Sequence, residues 1–213
     1  MKIEKLANGL WVPSSDAQIE QWRIKGYPHM QDRCLNQLAE WCKTKDKKFN
    51  LIVDIGAWCG TWSIKMQEYA NKIYCYEPNK LHYECLLKNV SQYNHISAYN
   101  QAVGNQDGFV KLTEESATQN TRVLLEEGET KINKLDSLDI EGVDMIKIDV
   151  EGLEMEVLKG VSNKIENIEY IMIELNNNSK KYGSSNNKIQ LYLKELGYKE
   201  LIKTWPDIVY KKA

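Results

Sequence analysis

From Phe49 to Leu175 the chain alternates between short apolar runs rich in β-branched residues and segments with helical spacing. This alternation restricts the fold more than any other feature. Parallel strands need a crossover long enough to hold a helix, so strands and helices in turn imply a mostly parallel sheet with helices on both faces. The expected strands are Phe49–Ile55, Lys72–Tyr76, Ile96–Asn100, Met145–Val150 and Tyr170–Leu175, and the expected helices are Thr61–Ala70, Leu81–Val90 and Leu153–Lys159, the last stopped by Gly160. Residues 104–140 break the rhythm. Gly104, Gly108 and Gly128 punctuate short pieces such as Phe109–Thr113 and Thr121–Glu126, which read as hairpin or irregular structure. Asn176–Asn187 reads as a polar, mobile loop and Lys188–Leu196 as a helix. Lys199–Thr204 and Asp207–Lys211 read as a closing antiparallel pair around Trp205-Pro206.

Ahead of this pattern, residues 1–48 read as a helical lead-in. Ser15 and Gln18 have capping-box spacing, Ile19, Trp22 and Ile24 follow, and Tyr27-Pro28 breaks the run. A second helix over Gln31–Lys43 places Cys34, Leu35, Leu38, Trp41 and Cys42 on one apolar stripe. Trp11, Trp22 and Trp41 lie in this lead-in, where core packing is the expectation and contact with a sugar ring the alternative. A chain of 213 residues with no internal repeat and no Pro- or Gly-rich linker is expected to form one domain.

In open α/β sheets ligands bind outside the carboxyl ends of the strands, where the strand order reverses. Two strand ends stand out. Val53-Asp54-Ile55-Gly56-Ala57-Trp58-Cys59-Gly60 is an Asp-x-Gly-x-x-x-Gly turn leading into a helix, and its glycines suit a tight turn and close backbone approach to a ligand. A dinucleotide pyrophosphate wants a third glycine and no nearby carboxylate. The methionine part of S-adenosylmethionine (SAM) carries both an ammonium and a carboxylate, and Asp54 either holds the turn or accepts from that ammonium. Glu77, in Tyr76-Glu77-Pro78, follows Gly56 by 21 residues and has only acceptors to offer, as a ribose diol requires.

The richest stretch is Ile146-Lys147-Ile148-Asp149-Val150-Glu151-Gly152-Leu153-Glu154. Asp149 and Glu151 fall where a parallel strand reaches the cleft. Leu153, Val157, Leu158 and Val161 have core spacing, Glu156 and Lys159 form a solvated helix pair, and Glu154 supports the helix start. Glu174 ends an otherwise apolar strand and wants a partner there, as an ion pair or in function. His29, His82 and His95 lack metal-ligand spacing, and His82 reads as ordinary surface.

Taken in order, Val53–Ala57, Glu77-Pro78, Ala102-Val103-Gly104, Leu135–Leu138, Ile146–Gly152 and Val157–Gly160 resemble the FkbM-type family of SAM-dependent methyltransferases over about residues 50–175. The resemblance implies a Rossmann-like seven-stranded sheet with its last strand antiparallel, and O-methylation of a sugar, glycan or natural-product hydroxyl. It implies that Asp54, Gly56, Ala57 and Gly60 surround the methionine part of SAM and that Glu77 holds the ribose. Pro78 would lie by the adenosine, Gln101, Ala102 and Val103 would border the adenine, and Asp149 would sit near the sulfonium. Trp58 departs from the family's usual Asn. It is expected to stack near cofactor or substrate, or to pack against the N-terminal helices.

Methyl transfer needs an acceptor oxygen held in line and relieved of its proton. Asp149, Glu151 or Glu174 is the candidate base; alternatively, two of these acids hold a divalent cation such as Mg²⁺. An NAD-type oxidoreductase and a non-catalytic SAM-binding protein are the competing readings. With 28 basic and 30 acidic residues the net charge is −2, which argues against a nucleic-acid partner and for a small-molecule or glycan acceptor. Lys43, Lys45, Lys47 and Lys48 cluster only locally, as a solvated loop. Cys34, Cys42, Cys59, Cys75 and Cys85 are odd in number and lack Cys-x-x-Cys spacing, so neither disulfides nor structural zinc are expected. With no long apolar run at its start or elsewhere, the chain is expected in the cytoplasm, with no membrane partner.

Overall fold

The computed structural model describes residues 2–14, 19–20, 32–113 and 120–213. Its centre is a seven-stranded sheet. Five strands run parallel: β3 (Phe49–Ile55), β4 (Ala70–Tyr76), β5 (Ile96–Tyr99), β10 (Val143–Ile148) and β11 (Tyr170–Glu174). The chain's last strand, β13 (Asp207–Lys212), runs antiparallel between β11 and β12 (Tyr198–Thr204). The order is β12-β13-β11-β10-β3-β4-β5. Growth leaves β3 toward β4 and β5 on one side and continues with β10 and β11 on the other. The reversal of order therefore falls between β3 and β10, and the ligand crevice belongs there.

Alternation along each strand makes two cores. Leu51, Val53 and Ile55 of β3 join Ile146 and Ile148 of β10 on one face, under α4 (Glu154–Lys159) and α5 (Asn186–Glu195). Ile52, Ile73, Met145 and Met172 face the other way. They are covered by α1 (Asp32–Thr44), α2 (Thr61–Met66) and α3 (Lys80–Val90). With both faces covered, these strands read as near-continuous apolar runs. Within residues 102–133, β6 (Ala102–Val103), β7 (Gly108–Leu112), β8 (Val123–Leu124) and β9 (Thr130–Asn133) form a small four-stranded sheet in the order β6-β9-β7-β8.

Three expectations need correction. The start of the helical lead-in is an antiparallel hairpin, β1 (Ile3–Lys5) with β2 (Trp11–Pro13), turned by Gly9 at φ 89°. Its strands of three residues are too short to show a period in sequence. The helix expected over Gln31–Lys43 is α1, while Ser15, Gln18, Trp22, Ile24 and Tyr27-Pro28 lie outside the described residues. Asn176–Asn187 is built rather than loose: a 3₁₀ helix spans Asn177–Tyr182, capped by the Asn176 side chain, and α5 begins at Asn186. Gly160 ends α4 in right-handed conformation, at φ −76°. A Cβ there would stand 1.8 Å from the Gly104 carbonyl oxygen, so glycine is needed for close packing and not for a left-handed stop.

Candidate active site

β3 ends at Ile55 and the chain turns at Gly56 (φ 79°), whose N–H, with that of Ala57, donates to the Tyr76 carbonyl. A Cβ on Gly56 would lie 1.8 Å from the carbonyl oxygen of Asp149, and one on Gly60 2.6 Å from Leu86 Cδ1. Both glycines make the turn possible. The close approaches they permit are to the exit of β10 and to α3. Between them, Trp58 sits in left-handed conformation (φ 48°) although it is not glycine.

The end of β4 supplies Glu77. Its Oε2 accepts from the Trp58 N–H at 2.9 Å and its Oε1 from the Asn79 N–H at 2.8 Å. His82, on the first turn of α3, places Nδ1 3.4 Å from Oε1. His82 is 2% exposed, which corrects its reading as surface. A carboxylate has about four lone-pair sites, so each Glu77 oxygen keeps capacity beyond its backbone donor.

The third group rises from β10 and its neighbours. Lys147 pairs in register with Asp54, and its ammonium lies 3.1 Å from Asp54 Oδ1, 3.5 Å from Asp149 Oδ2 and 2.9 Å from the Gly56 carbonyl. Burial opposes the charge, but Asp54 and Asp149 outweigh it and hold the lysine pKa above its ordinary value. Asp54 also accepts from the Ser63 hydroxyl at 2.6 Å and is wholly buried. In this structure the ammonium it meets is that of Lys147.

Ile148 pairs with Ile173, so Asp149 and Glu174 leave adjacent strands side by side. Glu151 follows in left-handed conformation (φ 54°), its Oε2 accepting from the Asn178 amide at 2.8 Å and the Asn176 amide at 3.3 Å. Asp149, Glu151 and Glu174 each offer an oxygen within 4.8 Å of the others. Crowding three acids raises pKa values. The charge of Asp149 and burial push Glu174 up to about 10. Burial and Asp149 push Glu151 up to about 7. Glu154 turns back to accept from the Gly152 N–H, closing the same turn.

One cavity gathers these elements outside the carboxyl ends of β3, β4, β10 and β11. Of the residues singled out in sequence, Gly56, Ala57, Trp58, Glu77, Pro78 and Ala102 line it, as do Val103, Asp149, Glu151 and Glu174. Asp54, Gly60 and Gln101 stand outside that lining, buried behind it. Lys147 and His82 line the cavity and were not singled out for it. Lys147 carried a usable signal, since a lysine between Ile146 and Ile148 needs a buried partner by the argument applied to Glu174.

A family model described as the methyltransferase FkbM domain matches residues 54–200. Hexuronic acid methyltransferase AglP of Haloferax volcanii is 24% identical over 164 residues, 73% of this chain and 66% of that protein. The chain thus spans just under two thirds of that relative. The FkbM methyltransferase of Methylobacillus flagellatus KT superposes with a TM-score of 0.52 at 15% identity, over 76% of this chain and 43% of that one. Magnesium protoporphyrin IX methyltransferase (ChlM) of Synechocystis PCC 6803, solved with bound SAM, superposes with a TM-score of 0.56 at 11% identity, over 93% of each chain. At these identities the structural likeness is one of fold. Among the described residues no helix is long and apolar enough to cross a membrane.

Proposed function

Because the chain belongs to the FkbM methyltransferase domain family, we propose that it transfers a methyl group from SAM to a hydroxyl of a sugar, glycan or similar hydroxyl-rich small molecule. One observation carries this reading: across a single cavity at the switch point, a backbone-held carboxylate, Glu77, faces the acid cluster of Asp149, Glu151 and Glu174. The donor set fits the cofactor. Glu77 can take the two hydroxyls of a ribose. Ala57, Pro78, Ala102 and Val103 give apolar walls for a purine. Asp149 supplies negative charge for a sulfonium. The absent third glycine disfavours a dinucleotide, and three acids gathered at the cavity suit proton transfer better than binding alone. The name of the 24% identical relative supports a sugar acceptor.

When bound, SAM supplies a methyl group on a positively charged sulfur, open to in-line attack by an oxygen. The chain's own residues do the rest. Lys147 sets its positive charge beside Asp149 at the cavity wall. Glu174 keeps its proton through neutral pH and shares it with Asp149. Glu151, poised near neutrality and fixed by two asparagine amides, takes the proton of the acceptor hydroxyl. The convergence of the three acids within 4.8 Å supports a second reading, in which two of them would hold Mg²⁺ and the ion would lower the acceptor's pKa. The free, buried cysteines suit a reducing compartment, and we place the protein in the cytoplasm as a single domain.

Methyl transfer from labelled SAM to a panel of neutral sugars and uronic acids tests the reaction. Because an acid acts as base only when ionised, the wild-type rate should climb as pH rises through about 7. Glu151→Gln should lower kcat by roughly 10²–10⁴-fold and erase that limb, with binding of S-adenosylhomocysteine intact. A variant as fast as wild type removes Glu151 as the base. A rate abolished by EDTA and restored by Mg²⁺ favours the cation.

A further inference from the structure

Trp58 occupies a left-handed backbone conformation that suits glycine and strains a bulky residue. Its N–H is bound to Glu77, so the strained residue is fixed directly to the acid assigned to the ribose. Its ring lines the cavity and meets His82 edge-on at 6.2 Å, and that histidine in turn lies against Glu77. Away from the cavity the ring packs on Val12 and Ile19, both fully buried. Val12 belongs to β2, outside the residues that match the family model.

The hairpin is joined to this turn by Asn89 on α3. The Asn89 side chain accepts from the Trp11 N–H at 2.8 Å and donates to the Trp11 carbonyl at 2.9 Å, imitating a strand neighbour. The same amide donates to the Cys59 carbonyl at 2.8 Å, one residue beyond Trp58. Backbone and ring of the turn are therefore both held from the N-terminal side: the ring by Val12 and Ile19, the backbone through Asn89.

We propose that Trp58 contacts the nucleoside of the cofactor, and that the N-terminal hairpin and Asn89 position it. This rests on the reading of the cavity as a SAM site. The ring meets His82, which lies against Glu77, and the Trp58 N–H is bound to Glu77 itself, so the nucleoside is the part of the cofactor it is placed to meet. An indole face offers a purine or ribose a flat apolar wall at little cost in conformational freedom.

Calorimetric titration of the full chain with S-adenosylhomocysteine and with 5′-methylthioadenosine, which keeps the nucleoside and lacks the amino acid, tests the proposal. Trp58→Gly frees the backbone and deletes the ring; it should weaken both ligands about tenfold or more, while Trp58→Phe should restore affinity to within about threefold. Asn89→Ala, remote from the cavity lining, should weaken both ligands and speed amide exchange at Trp58 and Cys59 in the ligand-free protein. That exchange reads the hairpin's hold on the turn without any ligand. Unchanged affinities in Trp58→Gly, or a loss seen with S-adenosylhomocysteine but not with 5′-methylthioadenosine, would overturn the proposal alone. A wild type that binds neither ligand overturns the SAM reading and this proposal with it.

Discussion

Lys147 is 3% exposed and keeps its charge by pairing with Asp54 and Asp149 while donating to the Gly56 carbonyl. Removing one partner of a buried pair leaves the other charge uncompensated, so Lys147→Met should cost about 3–5 kcal/mol. Asp54→Asn combined with Lys147→Met removes both charges and should recover most of that loss. Urea unfolding of the three proteins checks this, and a Lys147→Met protein as stable as wild type would contradict it. Individual residues were legible in sequence where a strand ending gave them a direction: Glu77, Asp149 and Glu174 all fall at carboxyl ends and all line the cavity. His82 was not. Its flanks, Leu81 and Tyr83, say nothing of depth, and its burial follows from the turn of α3 that sets it over Glu77.

Among elements, the ends of α4 and of the 3₁₀ helix contrast two reasons for glycine. Gly183 follows the 3₁₀ helix at φ 71°, and a Cβ there would meet nothing within 4 Å, so strain alone opposes a side chain. Gly160 has ordinary φ, but a Cβ would meet the Gly104 carbonyl oxygen at 1.8 Å. Gly183→Ala should therefore cost about 1 kcal/mol and Gly160→Ala about 3 kcal/mol or more. Denaturant midpoints measure both; a Gly160→Ala protein no worse than Gly183→Ala would contradict the packing account. The same distinction marks what elements show in sequence. The central strands β3, β10 and β11 were legible because burial on both faces leaves an apolar signature in each. The Gly160 contact was not, because its partner lies 56 residues earlier, on the edge of the small sheet. The hairpin was missed for a related reason, since its anchor Asn89 lies 78 residues from Trp11.

At the scale of the molecule, sheet order alone decides where the site lies. β3 and β10 are neighbours from distant parts of the chain, and their ends bring Gly56 against Asp149 and Lys147 against Asp54. The doubly covered sheet followed from the alternation in sequence, and so did the expectation of a ligand at the carboxyl ends of its strands; which strands flank the switch point is set by the sheet order. What only the fold supplies is the partners on the interior side of the crevice, where Lys147, a lysine that sequence marks as needing a partner, meets Asp54 and Asp149. The most direct test of the whole account is calorimetric titration with SAM and S-adenosylhomocysteine of the wild type beside Glu77→Ala, with circular dichroism to confirm an intact fold. The account predicts micromolar binding to the wild type, weakened about tenfold or more in the variant, as expected for lost hydrogen bonds to a charged acceptor. A folded wild type that binds neither ligand, with or without Mg²⁺, would contradict it.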